Sequence, residues 1–457
     1  MTLASLLEFW NICCLEKLLN NSMIRIIVLL ALILRLISLN QSLWLDEATS
    51  ALVARDYSWN LIFGQFLPGD FHPPLYYMLL KIWGLFFGTS EIALRSLSVV
   101  AGVATVYLVY KIVNATTAAL LLATSGLHIY FSQEVRMYQL ASFFVALAVY
   151  FFVKSKNEGG VGYGVALTAA VLTHYLTVLM LPVFWLIARK NKKFYMSHNI
   201  MFLAGLLWLP TFIKQLTGGL GVKNISPAWW NILGKTSLKE IALVPTKFML
   251  GRISFESDWL YGVVVAGLGI LFFWLLFRAR RANKLFWYWL IVPAGLAALI
   301  GFFVPVFNYF RILFVLPAFY ILVAAGISTL KSKWRSVVLG LVLTVNVVTS
   351  GIYLVNPKFH REDWRGAVNF VESQKDEGDI TLFVQDSQME AYRYYAPGAK
   401  LAGGPDTLKG EFDTIWLMRY VQPLFDPSDT VRQKIESLGY EKQGEYDFNG
   451  VVVWRYE

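Results

Sequence analysis

Apolar residues in this chain gather in long, nearly unbroken runs, unlike the single stripe of a soluble amphipathic helix. Such runs occupy 24–39, 92–110, 115–131, 138–153, 199–213, 259–277, 285–303, 309–330 and 336–355. Most approach or reach the roughly 17–25 residues that cross a hydrocarbon core. A further run, 162–188, is long but interrupted at Thr173-His174-Tyr175 and reads as two short helices. The segment 75–87 is short and carries Lys81 in its middle, so it is expected to lie in the outer interface as a juxtamembrane helix. About eleven spans are expected. From residue 356 the pattern becomes that of a soluble protein: 363–374 and 427–438 read as helices, and 380–385, 414–418 and 451–455 as strands. The expected fold class is therefore an α-helical polytopic membrane protein, its membrane domain over 24–355, with a small C-terminal α/β extracytoplasmic domain over 356–457. That tail is large enough for a core of its own and carries no catalytic motif, so it reads as a structural cap or an acceptor-docking domain.

The charges between the runs orient the chain. Lys111, Lys154 with Lys156, the cluster Arg189, Lys190, Lys192 and Lys193, the cluster Arg278, Arg280, Arg281 and Lys284, and Lys331, Lys333 and Arg335 alternate with loops poorer in basic residues. If the basic loops are cytoplasmic, the N-terminus lies inside and the C-terminus outside. Asp46, Glu47, His72, Glu134, Arg136, His174 and Arg311 then share the outer side, with a first external loop at 40–91 and a large one at 214–258. The latter holds Trp229-Trp230 and reads as an interfacial or lid segment; long loops cross regardless of charge.

Composition sharpens this picture in three places. Of 457 residues, 57% are hydrophobic and only 15% charged, against about a quarter charged in soluble domains. The net charge of +10 would suit a nucleic-acid binder, but the basic residues sit in short loops between spans, which speaks for a bilayer and against nucleic acid. Cys13 and Cys14 are adjacent, near the N-terminus, and make no metal spacing. Residues 1–23 lack a signal-peptide pattern, and Met23, directly before the first run, is a second candidate start, so 1–23 is expected to be an extension that need not be translated.

The chain is organised around Trp44-Leu45-Asp46-Glu47 and the following His72-Pro73-Pro74-Leu75. Two adjacent carboxylates just outside a lipid-buried helix are costly and tend to mark function, although a solvated pair or a helix cap is the ordinary alternative. An exposed carboxylate there can serve as a general base. Cations at the same level can hold a phosphate. Arg35 lies one turn from the outer end of the first span, where snorkelling is its bland explanation. Arg136 stands at the mouth of another span, beside Glu134 as a possible ion-pair partner, with Tyr138 two residues on. Arg311 opens a third span. His72 is set by the two prolines after it. His174 breaks an apolar run where irregular backbone survives only beside protein or a water-filled cavity. Three arginines beside carboxylates at an outer interface fit a phosphate-bearing lipid, and so group transfer from a lipid-phosphate carrier. A lipid or sugar transporter is the alternative of another class, weakened by the single broken segment where inverted repeats would give two.

These stretches also carry a resemblance. Leu43-Trp44-Leu45-Asp46-Glu47, His72-Pro73-Pro74-Leu75-Tyr76-Tyr77, Ala93-Leu94-Arg95-Ser96-Leu97 and Ser132-Gln133-Glu134-Val135-Arg136-Met137-Tyr138 resemble, in order and spacing over about 24–330, the GT-C superfamily of membrane glycosyltransferases. The nearest likeness is to the family 39 relatives of protein O-mannosyltransferases and lipid A aminoarabinose transferases. The resemblance implies a sugar moved from a polyprenyl-phosphate donor (dolichyl or undecaprenyl) to a glycan, lipid or protein acceptor outside the cytoplasm, in the plasma membrane of the cell. It gives Asp46 the role of general base or acceptor-positioning group with Glu47 supporting it, and sets His72, and with less force Arg136 and Arg311, near the donor phosphate. Some GT-C members use a divalent metal, for which Asp46 and Glu47 would be the ligands here. An oligosaccharide ligase is the alternative among enzymes. The sugar and the acceptor do not carry over.

Overall fold

The computed structural model describes residues 22–188, 192–225, 230 and 234–457. Cys13, Cys14, Arg189, Lys190 and Trp229 fall outside them. Helix α1 (Ser22–Leu36) is followed by α2 (Leu45–Asp56), α3 (Leu75–Phe87) and α4 (Glu91–Val113). Helix α4 has clear ends: the Ser90 hydroxyl accepts from the Ala93 amide, and Asn114 takes the left-handed conformation that closes it.

The run 115–131 departs from expectation. It breaks at Ser125 into α5 (Thr116–Thr124) and α6 (Gly126–Ser132). A break frees backbone carbonyls, which an apolar surrounding tolerates only when other donors reach them. Here Arg35 donates to the Ala123 carbonyl at 3.2 Å, the Ser350 hydroxyl to that of Thr124 at 3.0 Å, and Asn346 to that of Leu121 at 2.9 Å. No charge marks this break in the sequence.

After α7 (Tyr138–Lys154), the interruption expected at His174 is present: α8 (Val161–Thr173) gives way to a 3-10 stretch, Tyr175–Met180, and then α9 (Leu181–Ala188). Helix α10 (Asn199–Ile225) runs on past 213, and α11 (Leu238–Leu250) follows, so much of the segment expected as a long loop is helical. Trp230 within it is buried. Helices α12 (Asp258–Arg278), α13 (Lys284–Ile300), α14 (Leu316–Ser328) and α15 (Ser332–Val355) complete the bundle.

Among the described residues, four helices are long and apolar enough to cross a membrane: Glu91–Val113, Phe194–Asn224, Asp258–Arg281 and Ser332–Val355. Six shorter apolar helices pack with them. Leu207, Phe273 and Phe303 are 85%, 73% and 84% exposed, a cost in water that a lipid environment removes. The juxtamembrane candidate α3 packs on α2 and α4, and its Lys81 is buried, donating to the Ala54 carbonyl at 3.2 Å.

Residues after 356 form a five-stranded sheet, β1 (Ile380–Phe383), β2 (Leu401–Gly403), β3 (Ile415–Met418), β4 (Lys442–Phe448) and β5 (Val451–Tyr456), in the order β2-β1-β3-β5-β4. The β1 pairings are parallel, and β3–β5 and β4–β5 antiparallel. Asn449 and Gly450, both at positive φ, turn the β4–β5 hairpin. Strand β3 is buried on both faces. Leu417 and Ile415 share a small core with Val431 and Ile435 of the helix α18 (Thr430–Ser437). Trp416 and Met418 face the other way, into a core continuous with the helical bundle. Helix α16 (Trp364–Gln374) buries Trp364, Ala367, Val368 and Val371 in that shared core, one face at helical spacing. The short helix α17 (Glu390–Tyr395) packs on α2. The tail therefore has a small core of its own and is also fused to the helices through a larger one.

Candidate active site

The two adjacent carboxylates part company at the start of α2. Glu47, in the first turn, is fully buried. Its carboxylate accepts from Arg95 at 2.6 and 3.0 Å and from the Val135 amide at 2.7 Å, pairs with Arg361 at 3.1 Å, and lies 3.4 Å from the Trp44 amide, which it caps. Burial alone would raise its pKa, but Arg361 and Arg95 outweigh burial and hold it below the usual carboxylate range. Arg95 also donates to the carbonyls of Leu39 and Ser42, at 2.9 and 3.0 Å, fastening the stretch between α1 and α2. Glu47 thus orders the backbone that carries Asp46. It has no face open to a substrate.

Asp46 is different. Its side chain is 45% exposed. Arg136 reaches its carboxylate at 3.5 Å and its carbonyl at 3.4 Å. The Arg136 Nη2 that reaches the Asp46 carboxylate also meets His72 Nε2 at 3.4 Å, and His72 Nδ1 lies 3.1 Å from Asp70. A guanidinium only donates, so Nε2 accepts from Arg136 and the Nδ1–H donates to Asp70. Burial raises the Asp70 pKa, but His72 and Arg136 together hold it below its ordinary value. The result is a chain of contacts, Asp70–His72–Arg136–Asp46, that fixes the guanidinium behind the exposed carboxylate.

Tyr138 and His174 form the next layer, their rings 5.7 Å apart. His174 Nδ1 is buried without a hydrogen-bond partner. Phe310 packs on Tyr138 at 5.1 Å, and Arg311 after it reaches the Tyr138 hydroxyl and donates to the Pro305 carbonyl at 2.5 Å. Among the described residues Arg311 has no carboxylate at ion-pair distance, and Arg136 has only Asp46. Asp46, His72, Arg136, Tyr138, His174 and Arg311, distant in sequence, are brought to one place.

Arg35 is not part of it. It is fully buried, its guanidinium donating to the Ser132 hydroxyl at 3.0 Å, to the Ala31 and Ala123 carbonyls, and to His128 Nδ1 at 2.6 Å. Fully buried, with every nitrogen engaged inside the protein, it presents no donor to a phosphate, and neither snorkelling nor donor binding describes it. The expectation that Asp46 and Glu47 could share a metal also fails on geometry: the Glu47 oxygens are taken by cations and amides. Among the described residues no group of three or more His, Cys, Asp or Glu could hold a metal.

Three residues around the site escaped the sequence reading. Arg95, inside a 23-residue apolar helix, carried the available signal, since a charge there demands a buried partner. Asp70 had none. Arg361 lies beyond the last span and pairs across the length of the chain.

The sequence model of the family described as dolichyl-phosphate-mannose-protein mannosyltransferase matches residues 71–217. No curated protein matches the chain in sequence. Among solved structures, ArnT from Cupriavidus metallidurans in the apo state aligns with a TM-score of 0.54 at 13% identity, covering 94% of this chain and 97% of ArnT. The same protein bound to undecaprenyl phosphate aligns with a TM-score of 0.56 at 14% identity and the same coverage. The resemblance to the GT-C glycosyltransferases is therefore carried in sequence over residues 71–217 and, over nearly the whole chain, in fold. The alignment spans nearly the whole of each chain.

Proposed function

We propose that this protein is a glycosyltransferase that moves a sugar from a polyprenyl-phosphate donor to an acceptor at the outer face of the membrane. The observation that carries the reading is one half-exposed carboxylate, Asp46, flanked by Arg136 and by an Arg311 that, among the described residues, has no carboxylate at ion-pair distance. Asp46 takes the proton of the acceptor hydroxyl or amine. The acceptor atom bonds to the anomeric carbon, and the bond from that carbon to the phosphate oxygen breaks. Polyprenyl phosphate leaves with the electron pair. Negative charge grows on the phosphate in the transition state, so Arg136 and Arg311, with Tyr138, His72 and His174 behind them, act where stabilisation matters most. Glu47 supports Asp46 through the backbone. The family description and the alignment with ArnT bound to undecaprenyl phosphate support this donor class. In this reading the chain crosses the membrane about eleven times, with the N-terminus cytoplasmic and the sheet domain outside, above the acceptor.

The test uses purified protein in nanodiscs with a panel of polyprenyl-phosphate monosaccharides and candidate acceptors, following release of free polyprenyl phosphate by mass spectrometry. Release by wild type and its loss in Asp46→Asn is expected. Equal release by both proteins removes Asp46 as the base. No release from any monosaccharide donor moves the weight to an oligosaccharide donor or to transport.

A further inference from the structure

The buried cluster behind the site is built from four separate parts of the chain. Glu47 comes from α2, Arg95 from α4, Glu134 from the turn between α6 and α7, and Arg361 from the segment between the last long helix and the sheet. Arg361 is the one member that meets both carboxylates: it lies 3.1 Å from Glu47 and 3.8 Å from Glu134, and its side chain is 1% exposed. Its guanidinium also stacks over the Tyr130 ring at 4.5 Å. Each carboxylate leads directly to a residue of the site. Glu47 is the neighbour of Asp46, and Glu134 lies two residues before Arg136.

The backbone of Arg361 is itself held from two sides. Its amide donates to Gln41, 320 residues away, at 3.1 Å, and its carbonyl accepts from Asn449 in the β4–β5 turn at 2.9 Å. The rest of the tail docks on the same loop. Tyr395 accepts from the Leu43 amide at 2.7 Å and donates to Glu91 at 2.8 Å. Tyr394 donates to the Thr89 carbonyl at 2.8 Å, and Arg365 to the Asn40 carbonyl at 2.8 Å. The contacts surround the stretch that carries Asp46.

We propose that the C-terminal sheet domain is an integral part of the active site, with Arg361 as its positioning residue: the guanidinium clamps Glu47 and Glu134, and so sets Asp46 against Arg136. The assignment of what is positioned rests on the proposed glycosyl transfer; the clamp itself does not. A planar fork can meet two carboxylates at once, whereas a lysine ammonium is a single point charge. Misplacement of reacting groups by about 1 Å can cost on the order of 100-fold in rate.

The experiment compares full-length wild type, Arg361→Lys and Arg361→Gln in nanodiscs by hydrogen exchange and by transfer kinetics. Arg361→Lys keeps the buried charge and is expected to insert and fold, so it carries the test if Arg361→Gln does not. Amide exchange at 43–50 and 132–138 should rise about tenfold in Arg361→Lys. Its kcat should fall about 10- to 100-fold while the donor KM stays within about threefold. Unchanged exchange in both segments overturns the clamp. So does a fall confined to KM, which would make Arg361 a donor contact. Wild type without activity on any donor rejects the glycosyl-transfer reading, and the exchange measurement then still decides whether Arg361 clamps the two segments.

Discussion

The region around Asp46 and the region around Glu47 begin one peptide bond apart and are physically opposite. Asp46 is half exposed and meets one arginine at 3.5 Å. Glu47 is dry and meets two arginines and an amide, all within 3.1 Å. Successive residues of a helix point about 100° apart, so one carboxylate can face the open site while the next faces the core. The open region has a loosely held carboxylate and under-compensated cations, which suit a ligand that brings its own charge. The sealed region is self-satisfied, and its role is to hold the chain in place.

The sharpest way to break this contrast is to exchange the two acids for their amides. Asp46→Asn should lower kcat about 100- to 10,000-fold, the range of a lost general base, and leave the melting temperature nearly unmoved. Glu47→Gln should do the reverse in kind. It leaves Arg95 and Arg361 buried with a neutral partner, and removing one side of a buried pair costs about 3–5 kcal/mol. A melting temperature in nanodiscs far below that of wild type is the expected reading; a merely inactive, fully stable Glu47→Gln would erase the contrast.

Next in size are the cations of the open region. Arg136→Ala and Arg311→Ala should each raise the donor concentration for half saturation by about 10- to 100-fold, since a charge-assisted hydrogen bond contributes about 1.5–3 kcal/mol. Donor saturation curves that superimpose on wild type would take these residues off the phosphate. Arg35→Lys provides the control: it should leave donor saturation alone and lower stability, because its present hydrogen bonds are all internal.

The smallest effect is a slope in pH, and it sharpens the sealed half. Burial pushes the Glu134 carboxyl up to about 7, against the pull of Arg361, from 4.5 in the unfolded chain. Between those values the folded protein holds a proton that the unfolded chain has released. The stabilisation is fully present below about pH 4.5 and is lost as the pH rises through about 7. Glu134→Gln should flatten that falling limb in a series of melting temperatures across pH 4.5–7.5. An unchanged slope would mean that Glu134 is ionised in the folded protein throughout.

Much of this organisation was legible in the sequence, for reasons specific to each element. The long helices follow from apolar runs whose length few soluble structures need. The break at His174 announced itself because a polar side chain interrupts such a run. The break at Ser125 did not, because Ala123-Thr124-Ser125-Gly126 is as compatible with a continuous helix as with a bend, and its carbonyls are satisfied by Arg35, Asn346 and Ser350 from elsewhere. In the site, Asp46, His72, Arg136, Tyr138, His174 and Arg311 could be nominated as polar groups at one level of the chain. Which of two adjacent acids faces outward was singled out only by the family resemblance; the residue pattern leaves it open, since it depends on what packs behind them. The same limit explains Arg35: an arginine near a helix end looks alike in sequence whether it faces lipid headgroups or a buried imidazole. Arg361 was invisible because pairing across the full length of a chain leaves no local trace.

The two sides of the sealed cluster are also separated in time. Glu47 and Arg95 leave the ribosome early, and Arg361 follows only after the last long helix. Until then Glu134 lacks the guanidinium that, among the described residues, reaches it at ion-pair distance, and the stretch carrying Asp46 lacks both its second countercharge and the tyrosines that dock on it. A nascent or prematurely ended chain therefore carries Asp46, His72, Arg136, Tyr138, His174 and Arg311 without the Arg361 contacts to Glu47 and Glu134. Such a product would differ from the finished chain by a loose stretch around Asp46, which is closed only by residues made last.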